Sequence, residues 1–264
     1  MGDQPELSRL RDQLDRIDGE MHSLLMERGT VIAAIREAKR SAETGSAFRP
    51  GREAEMMRAI AARHDGVLPL ATVEHIWREI IGTFTQMQAA FSIHVAEGSR
   101  IAMRDMARFY FGFATPLVDH DDVGGALAAL ANNLDDLALL PLSSGRGWWR
   151  DLDPRLAIIA RIPFFGFPQS VSPEPMLVVG DARIDLPQGP LLYSVDAVCE
   201  ALPAEIGEIV ARGTSGGIAT LLVASDLNEN ALARRFAEAG IEAGHLRLVG
   251  AYAKAAAFDA RSGG

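Results

Sequence analysis

Arg28 stands where a helix packed against other helices would carry a hydrocarbon. Leu7, Leu10, Leu14, Ile17, Met21, Leu24, Arg28, Val31 and Ile35 follow alternating steps of three and four, the seam of such a helix. A guanidinium withdrawn from water without a partner costs several kcal/mol, so Arg28 needs an anion beside it or an open cavity. Lys39 lies eleven residues further on, which on a helix is within roughly 20° of the same face and about 16 Å along the axis. Two long cationic side chains so placed can converge on one small anion between them. A second apolar stripe, Val73, Trp77, Ile80, Phe84, Gln88, Phe91 and Val95, is interrupted by Gln88, a buried amide that must find partners. Between the two, "RPGRE" puts Arg52 and Glu53 at the opening turn of a helix. Each residue also has a plainer explanation. Arg28 could set helix register or extend its head to solvent, and Gln88 could bond a neighbouring backbone. Glu53 could complement the positive end of its helix, and Arg52 could be a solvated charge.

Three helices must position these residues. The spacing predicts a long helix from about Leu7 to Ala42, a second from about Gly51 to His64 and a third from about Ala71 to Glu97, broken by "ETGSAFRP" and "HDGVLP". Arg11 is seventeen residues before Arg28, about 25 Å away and on another side of the helix, so any site it serves belongs to another chain. A helix this long, with more apolar seam than two short companions can cover, suggests a dimer of intertwined chains. Gly98-Ser99 reads as the linker. Beyond it, "LALLPL", "RLAIIARI", "MLVVG", "LLYSV", "IATLLVAS" and "HLRLVGAYA" read as strands, with "DVGGALAALANN" and "NENALARRFAEAG" as helices. The expected architecture is multi-domain: an all-α three-helix domain at residues 1–98 followed by an α/β domain at residues 99–264.

Composition sets limits on function. The chain has 264 residues, 48% apolar and 23% charged, with a single cysteine, Cys199, and a net charge of −9. One cysteine excludes an internal disulfide. The N-terminus has no apolar signal region and no stretch approaches a membrane span, which leads us to expect a reducing, cytoplasmic setting. The negative charge argues against nucleic acid or an anionic membrane as the main partner, while leaving room for a small anion held by local cations.

The succession "LRDQLDRID", "LLMERGTVIAAIREAKR", "RPGRE" and "IWREIIGTFTQMQ" resembles the all-helical class of chorismate mutase, the domain that also begins bifunctional mutase–prephenate dehydratases. The resemblance covers roughly residues 5 to 97. It implies a domain-swapped homodimer with two identical sites, each taking Arg11 from the partner chain and Arg28, Lys39, Arg52, Glu53 and Gln88 from its own. The substrate it implies is chorismate, a dianion. Its rearrangement to prephenate is unimolecular and pericyclic, so no cofactor or metal is implied. Catalysis would come from holding the reactive conformer and stabilising charge on the breaking ether oxygen. Arg11, Arg28 and Arg52 would clamp carboxylates, Lys39 and Gln88 would donate to the ether oxygen, and Glu53 would accept from the ring hydroxyl. Two positions depart from the family pattern. Phe84 stands where a small or hydroxyl-bearing residue is usual, which would shift a carboxylate contact to Thr83 or Thr85. Arg49 stands where some relatives carry an acid.

The second region resembles the dehydratase weakly, through "FGFATPLVDHDDVGGALAALANNLDDLALLPLSSG". It keeps Pro141 and a serine of the family's Pro-Glu-Asn-Ser and lacks the Thr-Arg-Phe signature, which points to a degenerate dehydratase-like domain. "DHDD" at Asp119 to Asp122 reads as a helix cap, "RGTSGG" at Arg212 to Gly217 lacks the lysine of a phosphate loop, and Trp148, Trp149, Phe164, Phe165 and Phe167 read as packing aromatics. Other functions compatible with the sequence are an isochorismate-pyruvate lyase of the same helical fold, or a catalytically silent dimer that presents the second domain as a ligand sensor.

Overall fold

The computed structural model describes residues 4–40, 48–97, 101–142, 145–165 and 174–254, and of residues 39 and 40 the helical backbone alone. Three helices come first: α1 (Gln4–Arg40), α2 (Pro50–Arg63) and α3 (Leu70–Gln88). Pro50 opens α2 with its fixed φ, and Glu53 lies in the first turn beside the free N–H groups. There follow β1 (Ile93–Ala96), α4 (Ile101–Phe111), β2 (Leu117–His120), α5 (Val123–Asn132), β3 (Leu137–Pro141), β4 (Leu156–Ile162), β5 (Met176–Asp181), β6 (Leu191–Asp196), β7 (Glu208–Ser215), β8 (Ile218–Ser225), α6 (Glu229–Glu238) and β9 (Gly244–Ala251). The chain is thus a helical N-terminal region followed by an α/β region, as the sequence led us to expect.

The strands form one sheet in the order β2-β1-β3-β5-β4-β9-β6-β8-β7. Strands β2, β1 and β3 run parallel, as do β4 and β9, and the other neighbours are antiparallel. All six strands expected beyond residue 99 are present, as are both helices.

The third helix ends earlier than its stripe suggested. It stops at Gln88, and residues 93–96, expected to be helical, form β1 in the sheet. All four residues of β1 are buried, as in a strand with neighbours on both edges and layers on both faces, so the i, i+4 spacing of Phe91 and Val95 is not that of a helix stripe. Gln86 fixes the change of direction. Its amide donates to the Phe91 carbonyl at 2.6 Å and accepts from the Phe91 N–H at 3.3 Å. The α/β region therefore begins on the N-terminal side of the expected junction at residue 98.

No clean separation of cores follows that junction either. One cluster joins Ala54, Met57 and Ile60 of α2 and Ile81 of α3 to Met103 and Phe111 of α4 and to Val95, Leu139 and Val178 of the sheet. On the opposite face α5, Trp148 and Trp149 cover β3, β4 and β5. A third cluster seats Leu232 and Phe236 of α6 on β6 and β8. At Gly82 of α3 a Cβ would collide with the Phe111 carbonyl at the end of α4, so glycine permits the two helices to touch.

Helix α1 has a different environment. It packs on α3, and Ile32 is its one buried hydrophobic residue among those described. Leu14 is 59% exposed, Met21 55% and Leu24 64%. The seam read from the sequence exists and, within one chain, most of it faces outwards.

The minor motifs resolve simply. Asp122 of "DHDD" caps α5, its carboxylate accepting from the Gly125 N–H at 2.8 Å. Gly216 and Gly217 of "RGTSGG", both at positive φ, turn the β7–β8 hairpin. Trp148 packs edge-on against Trp149, and Phe164 against Phe165. Phe167 and the serines of "PLSS" lie outside the described residues.

Candidate anion site

Helix α3 has two working faces. Glu74, Arg78, Ile81, Gly82 and Thr85 are buried, facing α2, α4 and the sheet. Trp77, Phe84 and Gln88 are half-buried on the stripe beside α1. The stripe read from the sequence is the α1-facing side, and the deeper face lies one residue along it.

Arg28 meets the outer face. Its guanidinium carbon lies 4.9 Å from the centre of the Phe84 ring and 5.8 Å from that of Trp77. Its Nη1 is buried with no hydrogen-bond partner among the described residues. Burial lowers its pKa, yet a guanidinium starts so high that it stays charged. Gln88 is one turn beyond Phe84, and its amide N–H donates back to the Phe84 carbonyl at 3.3 Å, a long bond within its own helix. A charged buried donor without an anion and a weakly engaged amide thus lie beside the same ring.

The remaining sequence candidates fall elsewhere. Lys39 lies in the last turn of α1, and its side chain is outside the described residues. Arg11 is exposed near the other end of α1. Arg52 is exposed in the first turn of α2. Glu53, its neighbour, is buried and accepts from Arg78 Nη1 at 3.1 Å. No hydrogen bond or ion pair joins Arg52 or Glu53 to Arg28 among the described residues.

Arg78 is the residue the sequence reading passed over. It is fully buried, 3.1 Å from Glu53, 3.5 Å from Glu74 and with its guanidinium carbon 3.8 Å from the centre of the Tyr110 ring. Two acids share one cation here, and desolvation outweighs the attraction of Arg78. Burial pushes the Glu53 carboxyl up from its ordinary 4.5 to about 7 and raises Glu74 as well. Burial also pushes the Tyr110 hydroxyl up to about 12. The signal available in the sequence was the i, i+4 pair Glu74 and Arg78 on the side of α3 that also carries Gly82.

A second polar cluster lies in the sheet. Asp136 accepts from the Ser92 N–H at 2.7 Å and from the Asn133 amide at 2.8 Å, and lies 3.2 Å from His94, which in turn lies 2.9 Å from His120. These contacts tie β1, β2 and the start of β3 together, and they satisfy a buried carboxylate.

The fold and site define a helical protein region with a half-buried cation that has no acidic partner among the described residues, joined to an α/β region. Residues 10–89 match the family model of chorismate mutase type II. Two curated relatives are bifunctional chorismate mutase/prephenate dehydratases. That of Aquifex aeolicus is 26% identical over 143 residues, 53% of this chain and 39% of the relative. That of Neisseria gonorrhoeae is 31% identical over 104 residues, 39% of this chain and 28% of the relative. The chain therefore matches well under half the length of these relatives. A solved prephenate dehydratase from Streptococcus mutans superposes with a TM-score of 0.41 at 13% identity, over 63% of this chain and all of that one. Among the described residues no helix is long and apolar enough to cross a membrane.

Proposed function

We propose that the helical region of this chain converts chorismate to prephenate, as an intertwined homodimer. The observation that carries this reading is Arg28. A half-buried cation against α3, with no acidic partner among the described residues and within the segment that matches chorismate mutase type II, is suited to receive a substrate carboxylate. Arg52, exposed at the opening of α2, and Arg11 from the second chain are the further carboxylate ligands. Gln88 is the neutral donor to the ether oxygen, exchanging its long bond to the Phe84 carbonyl for the substrate, and Lys39 is its charged companion. The exposed seam of α1 supports the dimer, since a second copy of the same helix would cover Leu14, Met21 and Leu24. The helical region through α3 then acts as the mutase domain, and the remainder, from β1 onward, as a dehydratase-like domain without the dehydratase signature.

Glu53 favours a second reading. Its carboxyl faces Arg78 and not open space, which suits a silent helical dimer that supports ligand sensing by the α/β region. Incubation with chorismate and, separately, isochorismate distinguishes the readings when prephenate, phenylpyruvate, salicylate and pyruvate are resolved by chromatography. The mutase reading expects prephenate alone, lost in Arg28→Ala. Salicylate and pyruvate would point to a lyase, and no product from either substrate would leave the silent dimer.

A further inference from the structure

We infer that Trp77 and Phe84 act as an aromatic clamp that positions the Arg28 guanidinium for a ligand carboxylate without neutralising it. This inference rests on the mutase reading and names two positioning residues for it. The two faces of α3 differ in what meets their cations. Arg78, on the inner face, has Glu53 and Glu74 as counter-ions in addition to the Tyr110 ring. Arg28, on the outer face, has aromatic rings at 4.9 and 5.8 Å and no acid among the described residues. The difference matters because an acid bonded edge-on occupies the N–H groups and cancels the charge, whereas a ring occupies the flat face. All five N–H donors lie in the guanidinium plane, so stacking leaves them free for a planar, two-pronged carboxylate. The unpartnered Nη1 is such a donor.

The clamp is also short of slack. Trp77 and Phe84 are seven residues apart on one stripe, so their rings line a single groove beside α1. Gly29, next to Arg28, lies so close that a Cβ there would sit 3.6 Å from the Phe84 ring edge. From the same turn Arg28, half-buried, reaches over the Phe84 ring, with the Trp77 ring further off. Phe84, a departure from the family pattern that displaces one carboxylate contact, becomes a support for another.

The test is kinetic, with Phe84→Leu, Phe84→Tyr, Trp77→Leu and Arg28→Ala compared against the unaltered protein on chorismate, alongside calorimetric binding of malate as an unreactive dicarboxylate. Leucine fills space but offers no π face. Phe84→Leu should raise KM about tenfold, the size of a partly desolvated cation–π contact, with kcat within about threefold and an unchanged unfolding midpoint. Phe84→Tyr should recover most of that loss, and Trp77→Leu should move KM in the same direction. KM equal to or lower than that of the unaltered protein in both leucine variants would overturn the clamp. If the unaltered protein does not turn over chorismate, the mutase reading fails and the clamp is judged on malate alone. Binding that Arg28→Ala abolishes and both leucine variants weaken supports it. Binding that is absent, or indifferent to these substitutions, overturns it.

Discussion

Replacing Glu53 by Gln should make this protein more stable at alkaline pH, although it removes one side of a buried ion pair. Glu53 is 8% exposed and shares Arg78 with Glu74, so the cluster carries two potential negative charges against one positive. Its carboxyl is raised from 4.5 to about 7 in the fold. Above pH 4.5 the unfolded chain gives up this proton while the folded chain keeps it, so stability falls as pH rises and levels off above pH 7. With those two values the loss between pH 5.5 and pH 8 is about 2 kcal/mol. Gln keeps the shape and an oxygen that accepts from Arg78, and it carries no charge at any pH.

The assay is urea unfolding followed by circular dichroism at a series of pH values for both proteins. At pH 5.5 Glu53→Gln should already lead by about 1 kcal/mol, because the unfolded chain has given up the Glu53 proton there and the folded chain has not. At pH 8 the lead should widen to about 3 kcal/mol, and only below pH 4.5 should the two coincide. Equal pH slopes, or a variant destabilised at pH 8, would refute the reasoning and would mean that the ionised pair with Arg78 outweighs desolvation.

Two further predictions concern packing. Leu24→Arg, at a position 64% exposed within one chain, should leave the circular dichroism spectrum unchanged and shift sedimentation from dimer to monomer; a variant that stays dimeric would place the interface away from the α1 seam. Gly82→Ala should cost about 2–3 kcal/mol, since the added methyl meets the Phe111 carbonyl, and a variant unchanged in urea midpoint would show that α3 and α4 are not so closely apposed.

What was legible in the sequence was what rests on local periodicity. The seam of α1, the start of α2 at Pro50 and the six Val- and Leu-rich strands follow from period and punctuation alone. Strand β1 was lost because a four-residue apolar run fits two periods, and the choice between them depends on the neighbours β2 and β3, which are remote in sequence. Arg28 was conspicuous because it interrupts a hydrocarbon seam. Arg78 was inconspicuous because it sits beside that stripe, among residues that read as the polar side of a helix, until α2 and α4 close over it. Burial of that kind is a property of three helices together and leaves no period in one of them.

The inner face of α3 also bears on the candidate site, through α2. Arg52 and Glu53 are adjacent in the first turn of α2, so their side chains diverge by about 100° around its axis. Once Arg78 draws Glu53 inward at 3.1 Å, Arg52 is turned outward, and it is exposed. The buried pair thereby sets the direction of a cation that the mutase reading needs at the surface. It also explains how Glu53 can matter to a site whose substrate it does not face. A charge change at Glu53 would act on Arg52 through the rotation and depth of α2, whereas Arg28, held on the other face of α3 by Trp77 and Phe84, would stay where it is. On this view the two faces of one helix hold the two cations by different means: Arg52 through a neighbour's ion pair, and Arg28 through aromatic rings that leave its donors free.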